Sequence, residues 1–314
     1  MVVNYSGRVF YMPGEDLFYK MSGSGNDFVA FDRLGRGSGF ALPDPTAIRA
    51  LCRRREGVGA DGVLVLIDAD DPAIDYQLVY FNADGSRAGL CGNASLCGVR
   101  LALELGRGAA NEVVFLTDAG MARGRLRGGT PEIDLPAPTE SSPDSSWLWD
   151  AVGGLEDGDR RLGFVRVGVP HLVILCASAD DVDLERRGPP LRRHPSLVDG
   201  ANVNFVSPWP DGSWRMRTFE RGVEAETLAC GTGSVATALM LTAWGEAADD
   251  EYGTAALPAA ASTPGTGRRT GVEVRTSSGR LHRVELRHEG GGIILPSLAG
   301  EGRIVYRGEL VEPA

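Results

Sequence analysis

Strand signals dominate the pattern of apolar and polar residues along this chain, and helical periods are fewer. These runs predict strands at 17–22, 27–32, 62–67, 75–82, 112–117 and 121–127. A second set follows at 162–168, 171–176, 202–207, 213–220, 271–276, 280–287 and 303–307. Helical spacing is confined to Pro45–Arg54, Asn93–Leu105 and Thr232–Trp244. The last two carry the apolar spacing of buried helices.

The pattern repeats. Cys91-Gly-Asn-Ala-Ser returns as Cys230-Gly-Thr-Gly-Ser, 139 residues later, and each phrase opens one of the buried helices. Val113 and Phe115 answer to Val272 and Val274, and Thr117-Asp-Ala-Gly120 to Thr276-Ser-Ser-Gly279. Ile133 to Pro136 and Ile293 to Pro296 share the form Ile-x-Leu-Pro, and at these later landmarks the offset is about 160 residues. The difference is absorbed near Asp249 to Arg269, a stretch rich in Ala, Gly, Thr and Pro that reads as an exposed loop. Strands enclosing one helix in each half predict two α+β domains related by a pseudo-twofold. The first is expected over 1–138 with Cys91, the second over 139–314 with Cys230, the chain terminus packing back on the first.

A thiol at a helix start faces unpaired N–H groups and the positive end of the macrodipole, and both favour thiolate. Two such thiols, one per half, are expected to meet at the domain interface, where small-molecule clefts concentrate. Removing a proton from an amino-acid α-carbon and returning one to the opposite face needs a base and an acid on opposite sides. Two identical groups suit a reversible inversion, since each takes either role. Backbone N–H groups at Gly92, Asn93, Gly231 and Thr232 could bind a carboxylate and stabilise the charge that develops.

Composition narrows the field. The chain has 314 residues, 43% of them apolar, enough for two globular domains without wholesale disorder. No apolar run is long enough to span a membrane, and the first residues lack a secretory pattern, so a cytoplasmic protein is expected. A net charge of −10 disfavours nucleic-acid partners. The five cysteines show no metal-like spacing and no disulfide framework, and Cys52, Cys97 and Cys176 read as buried structural thiols. The one lysine, Lys20, sits in a strand-like run with no phosphate-cradling glycine loop beside it, which argues against a pyridoxal Schiff base. No cofactor and no metal are expected.

Longer motifs carry a resemblance. Met21-Ser-Gly-Ser-Gly-Asn-Asp-Phe28, Gly57-Val-Gly-Ala-Asp-Gly62, Phe81-Asn-Ala-Asp-Gly-Ser86 and Cys91-Gly-Asn93 look like diaminopimelate epimerases. So do Gly168-Val-Pro-His171, Asn202-Val-Asn-Phe205, Glu220-Arg-Gly222 and Glu226-Thr-Leu-Ala-Cys-Gly-Thr-Gly233, in the family's order. The resemblance implies cofactor-independent interconversion of LL- and meso-2,6-diaminopimelate, in lysine and cell-wall precursor synthesis. It implies two pseudo-symmetric α+β domains, each a mostly antiparallel sheet wrapped round a central helix, with the active site in the cleft between them. A homodimer is implied too. Cys91 and Cys230 would be the acid–base pair, with His171 and Glu220 tuning the electrostatics. Asn26, Asn82, Asn93, Asn202, Glu220 and Arg221 would bind substrate with the N–H groups of Gly92, Gly231 and Thr232.

These residue types suit a molecule with two ammonium and two carboxylate groups. Asparagine offers donor and acceptor on one side chain, and arginine grips a carboxylate with two parallel bonds. The chain departs from the family pattern at Val169, where the commoner form has Asn, so no substrate contact is carried to that position. It departs again at Ala94-Ser95-Leu96. Two other activities compete: a racemase of another amino acid such as histidine, and a hydrolase using Cys91 with His171 as base. The hydrolase leaves Cys230 idle and His171 without a clear orienting partner.

Overall fold

The structure is a computed structural model of the chain and describes residues 17–36, 42–145, 148, 156, 158–247, 269–289 and 294–310. The expected loop at Asp249 to Arg269 lies outside the described residues apart from Arg269 itself, and so does Ile293. The chain forms two compact units, one ending at Arg125 and resuming at Gly302, the other running from Leu126 to Glu301.

In the first unit β1 (Leu17–Gly23) pairs antiparallel with β2 (Asn26–Arg33), and β2 runs parallel to β3 (Gly62–Ile67). Strand β3 is antiparallel to β4 (Tyr76–Asn82), which turns back through β5 (Arg87–Ala88). It also runs parallel to β6 (Glu112–Thr117), and β6 is antiparallel to β7 (Gly120–Arg127). Helix α1 (Pro45–Cys52) buries Ile48 and Leu51 in one cluster with Val63 and Val65. By strand alternation Leu64 and Leu66 point to the opposite face. There α2 (Gly92–Glu104) packs against β1, β2, β3, β4 and β6. A strand covered on both faces needs an uninterrupted apolar run, which is why β3 reads Val-Leu-Val-Leu.

The second unit repeats this order. Strands β10 (Arg161–Val167), β11 (Val169–Leu175), β12 (Asn202–Pro208) and β13 (Trp214–Glu220) stand where β1 to β4 stand. The β10–β11 and β12–β13 pairs are antiparallel and the β11–β12 pair is parallel. Then come β14 (Ala225–Thr227), α4 (Gly231–Ala243), β15 (Arg269–Arg275) and β16 (Leu281–His288). Helix α4 packs against β10, β11, β12, β15, β16 and β17 (Ile294–Ala299), and its first ten residues except Thr232 are buried. Every strand read from the sequence pattern is present within a few residues of its expected bounds.

Two edge strands fix the division of the chain. Strand β18 (Arg303–Glu309) pairs with β1, and β9 (Glu140–Ser142) pairs with β10. Strand β8 (Thr130–Asp134), carrying Ile133, pairs with β17. The boundary therefore falls after Arg125 and not at residue 138. Pairing of β8 within the second unit overrides its place in the first sequence repeat.

Helix α3 (Leu184–Arg192) was not legible in the pattern, because it contains Gly188, Pro189 and Pro190. Asp183 caps it by accepting from the Arg186 N–H at 3.1 Å, and a Cβ on Gly188 would lie 2.4 Å from the Phe219 ring. Close seating on β13, together with a buried ion pair, outweighs the poor intrinsic propensity. In that pair Arg187 (side chain 8% exposed) meets Asp159 (1%) at 2.6 Å, and its guanidinium lies 4.7 Å from the Phe205 ring centroid. Among the described residues no helix is long and apolar enough to cross a membrane.

Replacing Asp159 with Ala leaves the Arg187 charge buried, with Glu156 at 3.4 Å as its remaining ion-pair partner among the described residues. We expect a loss of about 3 kcal/mol in denaturant unfolding. A loss under about 0.5 kcal/mol would show that the pair does not hold α3.

Candidate active site

In the first unit the β1–β2 hairpin turns through Ser24 (φ 55°) and Gly25 (φ 114°), the two positive φ angles of a type I′ turn. The turn sets Gly23 against α2, where a Cβ would lie 2.8 Å from the Asn93 carbonyl. Asn26 follows directly. Its Nδ2 donates to Asp61 at 3.0 Å, so its Oδ1 is turned to accept from Asn93 Nδ2 at 2.7 Å. Asn93 Oδ1 in turn is buried, with no hydrogen-bond partner among the described residues. A carboxylate thus sets the polarity of two amides in series and leaves an acceptor at the start of α2.

The Gly57–Gly62 motif supplies that carboxylate. Gly57 N–H donates to the Arg53 carbonyl at 2.9 Å, Gly59 to Leu51 at 2.9 Å and Ala60 to Cys52 at 3.2 Å, closing the end of α1. A Cβ on Gly57 would sit 2.1 Å from the Ala50 carbonyl, so the wrap requires glycine. Arg54 then bridges Asp61 at 2.6 Å and Asp27 at 2.7 Å. Lys20 binds Asp27 at 2.6 Å and also donates to the Gly59 carbonyl. Burial alone would raise the Asp27 carboxyl, but hydrogen bonds from Arg54 and Lys20 hold it below its ordinary range. The ammonium of the only lysine is therefore engaged in structure. Asn82 ends β4 in a hairpin turn, its N–H on the Ser86 carbonyl at 2.9 Å and its Nδ2 on Ser86 Oγ at 3.0 Å.

Each cysteine stands at the N-cap position of its helix with the same backbone geometry, and of the two side chains only that of Cys230 accepts a capping bond. Cys91 has φ −132° and ψ 119°, and Cys230 has φ −131° and ψ 108°. Cys91 is half-buried and Cys230 buried. Gly233 N–H donates to Cys230 Sγ at 3.4 Å, and Thr232 Oγ1 lies 3.7 Å from the same sulfur. The N–H groups of Gly92, Asn93, Gly231 and Thr232 occupy the first turns, where an α-helix has no internal partner for them. Cys52 and Cys176 differ in setting: burial pushes both thiols up to about 11.

His171 of β11 is wholly buried, with Nε2 3.0 Å from Thr232 Oγ1 and Nδ1 3.2 Å from Asn204 Nδ2. Burial, then the nearby Arg221 charge, pushes the imidazole down to about 3. His171 does have an orienting partner, contrary to expectation, and that partner is Asn204. A histidine neutral down to such low pH is a poor general base, which counts against the hydrolase reading. Glu220 ends β13 at the position equivalent to Asn82. Arg221 follows, donating its N–H to Asn202 Oδ1 at 2.8 Å and its guanidinium to the Asp199 carbonyl at 2.9 Å. Asp61, Arg54, Asn204 and Thr218 build the site without having stood out in the sequence. For Asn204 a signal existed: it shares a strand face with Asn202, two residues away in an otherwise apolar buried run.

A duplicated α+β chain with a cysteine at the N-cap position of each central helix is the class that fold and site define. A crystal structure of a phenazine biosynthesis protein of the PhzF family from Bacillus anthracis shares the fold. Its TM-score is 0.66 at 15% identity, over 94% of this chain and 99% of that one. The family model described as diaminopimelate epimerase matches residues 18–128 and 163–295. A diaminopimelate epimerase of Gemmatimonas aurantiaca is 46% identical over 93% of this chain and 98% of its own length. One of Aquifex aeolicus is 37% identical over 71% and 80%. The chain belongs to the diaminopimelate epimerase family.

The buried histidines make a pH prediction. Burial also pushes His282 down to about 4. Both folded values lie below the unfolded value of about 6.5, so the unfolded chain takes up protons first as pH falls. Stability is full above about pH 6.5 and declines toward pH 4, the slope near pH 5 approaching two protons per molecule. His282→Gln should remove about one of them in denaturant titrations across that range. Stability that stays flat from pH 6.5 to 5 would contradict this.

Proposed function

We propose that this chain interconverts LL- and meso-2,6-diaminopimelate, with Cys91 and Cys230 as the base and acid at one α-carbon. The observation that carries the reading is the matched pair of cysteines at the N-cap positions of the two central helices, in a chain of this family. One thiolate takes the α-proton and becomes a thiol. The other thiol gives its proton to the opposite face and becomes a thiolate, so the configuration inverts and the charges balance. In the reverse direction the roles exchange. Because each S–H can be made or broken near neutral pH, no separate base is required.

The substrate carboxylate on the reacting side fits the first-turn N–H groups of Gly92, Asn93, Gly231 and Thr232, which also stabilise charge passing onto it as the proton leaves. Asn93 Oδ1, which has no donor among the described residues, suits the neighbouring ammonium. Asn26, Asn82 and Asn202, with Glu220 and Arg221, supply the remaining acceptors and donors for the distal amino-acid group. His171 and Glu220 set the electrostatics around the thiols. The protein acts in the cytoplasm, where its thiols stay reduced, and as a homodimer.

The test is incubation with LL-diaminopimelate in deuterated water under reducing conditions. Deuterium should enter the α-carbon as meso product forms. Cys91→Ser and Cys230→Ser should each lower turnover by at least about 100-fold. No isotope entry in the unaltered protein would overturn the reading, and so would a Cys230→Ser variant that keeps full turnover.

A further inference from the structure

Three polar residues lie behind Cys230 where the first unit has two apolar residues and a tyrosine. Matching strand register sets His171 against Phe28, since each faces the first residue of the parallel neighbour, Asn202 or Gly62. It likewise sets Asn204 against Leu64, and Thr218 against Tyr80. In the first unit Phe28 and Tyr80 pack edge to face at 6.1 Å, and all three side chains are buried. His171, Asn204 and Thr218 are buried as deeply. Two aromatic rings and a leucine fill these positions in the sister unit, so a hydrogen-bonded histidine, asparagine and threonine here call for a role beyond packing.

The hydrogen bonds of the set have only one consistent direction. Asn204 Nδ2 donates to the Leu172 carbonyl at 2.9 Å, and a carbonyl can only accept. The other face of the amide agrees, because Asn204 Oδ1 accepts from Thr218 Oγ1 at 2.9 Å. The second Nδ2 proton then points at His171 Nδ1, 3.2 Å away, and that nitrogen must be the unprotonated one. The ring proton sits on Nε2 and is donated to Thr232 Oγ1 at 3.0 Å. Thr232 therefore has its own hydroxyl proton left for Cys230 Sγ. The second glycine of the Cys-Gly-Thr-Gly phrase belongs to this arrangement. A Cβ on Gly233 would stand 2.5 Å from Asn204 Oδ1, whereas the matching position in the first unit is Ala94.

We infer that Asn204 is a positioning residue which, anchored on the Leu172 carbonyl and Thr218, locks His171 in the Nε2–H tautomer and so aims the Thr232 hydroxyl proton at the Cys230 thiolate. This rests on the proposed role of Cys230 in proton transfer. Among the described residues, His171 of β11 and His282 of β16 are the ionisable side chains hydrogen-bonded to side chains of this first turn, and Glu220 ends the neighbouring strand β13. His282 bonds Ser234 Oγ at 2.8 Å. Arg221, after β13, bears on His171 and disfavours the imidazolium.

Two measurements test this without using turnover. In ¹⁵N-histidine protein, assigned by single His→Gln replacements, His171 should show an unprotonated Nδ1 and a protonated Nε2 from pH 5 to 9. A protonated Nδ1 would overturn the inference. Iodoacetamide alkylation with peptide mapping reads Cys230 alone. Thr232→Val should move its pH midpoint up by about one unit, the scale of one hydrogen bond to a charged group, and Thr232→Ser should not. Asn204→Asp offers His171 an acceptor in place of a donor, so the tautomer should reverse and the midpoint rise similarly. The double variant Asn204→Asp/Thr232→Val should match Thr232→Val alone. Additive shifts would mean that the new carboxylate acts directly on the sulfur, and the inference would fall. The proposed function is judged separately: deuterium entry with a protonated Nδ1 sinks only the inference, and the expected tautomer without deuterium entry sinks only the function.

Discussion

A helix enclosed by sheet has a difficulty at its first turn, where four N–H groups have no internal partner. Both central helices of this chain begin in the same way, with Cys-Gly at the start and a cysteine in extended geometry at the cap position, although only the Cys230 side chain accepts a capping bond. Sulfur is a weak acceptor, and at the second helix it takes the N–H of Gly233. The N–H groups nearer the cap suit an anion. The same constraint that calls for a cap thus creates a place for a thiolate and a place for a carboxylate.

The two halves solve the surroundings of that turn differently. Behind Asn93, a carboxylate fixed by Arg54 orients Asn26 and then Asn93, ending in an acceptor. Behind Cys230, a backbone carbonyl orients Asn204, His171 and Thr232 in turn, ending in a donor. Acceptor and donor are what an ammonium and a thiolate respectively need. A duplicated scaffold carrying identical thiols has in this way become chemically polar, although its backbone repeats strand for strand.

Much of this was legible in the sequence. Strand-like apolar runs, alternating or continuous, located the strands because these pack on one face or on both, and the repeated Cys-Gly phrases located both helix starts. The resemblance of whole motifs, not the spacing of single residues, pointed to the substrate class. What stayed hidden depends on contacts distant along the chain. Helix α3 holds through the Arg187–Asp159 pair and the fit of Gly188 on Phe219, neither of which leaves a periodic trace. The division after Arg125 depends on β8 choosing β17, a pairing between segments about 165 residues apart. Asn204 lies inside a recognisable motif, yet its part could not be read there, because its partners come from β11, β13 and α4, which sequence order does not bring together.

Neutral histidine is the part of the arrangement that could most easily be lost. An imidazolium at His171 would carry protons on both ring nitrogens and collide with the donor of Asn204, so protonation must break one bond of the set. Burial and the Arg221 charge both oppose that protonation. Arg221 therefore has a second effect beyond any grip on a carboxylate. By keeping the ring neutral it preserves the direction of every hydrogen bond from Leu172 to Thr232. A substrate carboxylate that neutralised Arg221 would weaken one of these two influences on the ring. Burial, the stronger of them, does not depend on Arg221. Burial therefore continues to favour the neutral ring even where the Arg221 charge is offset.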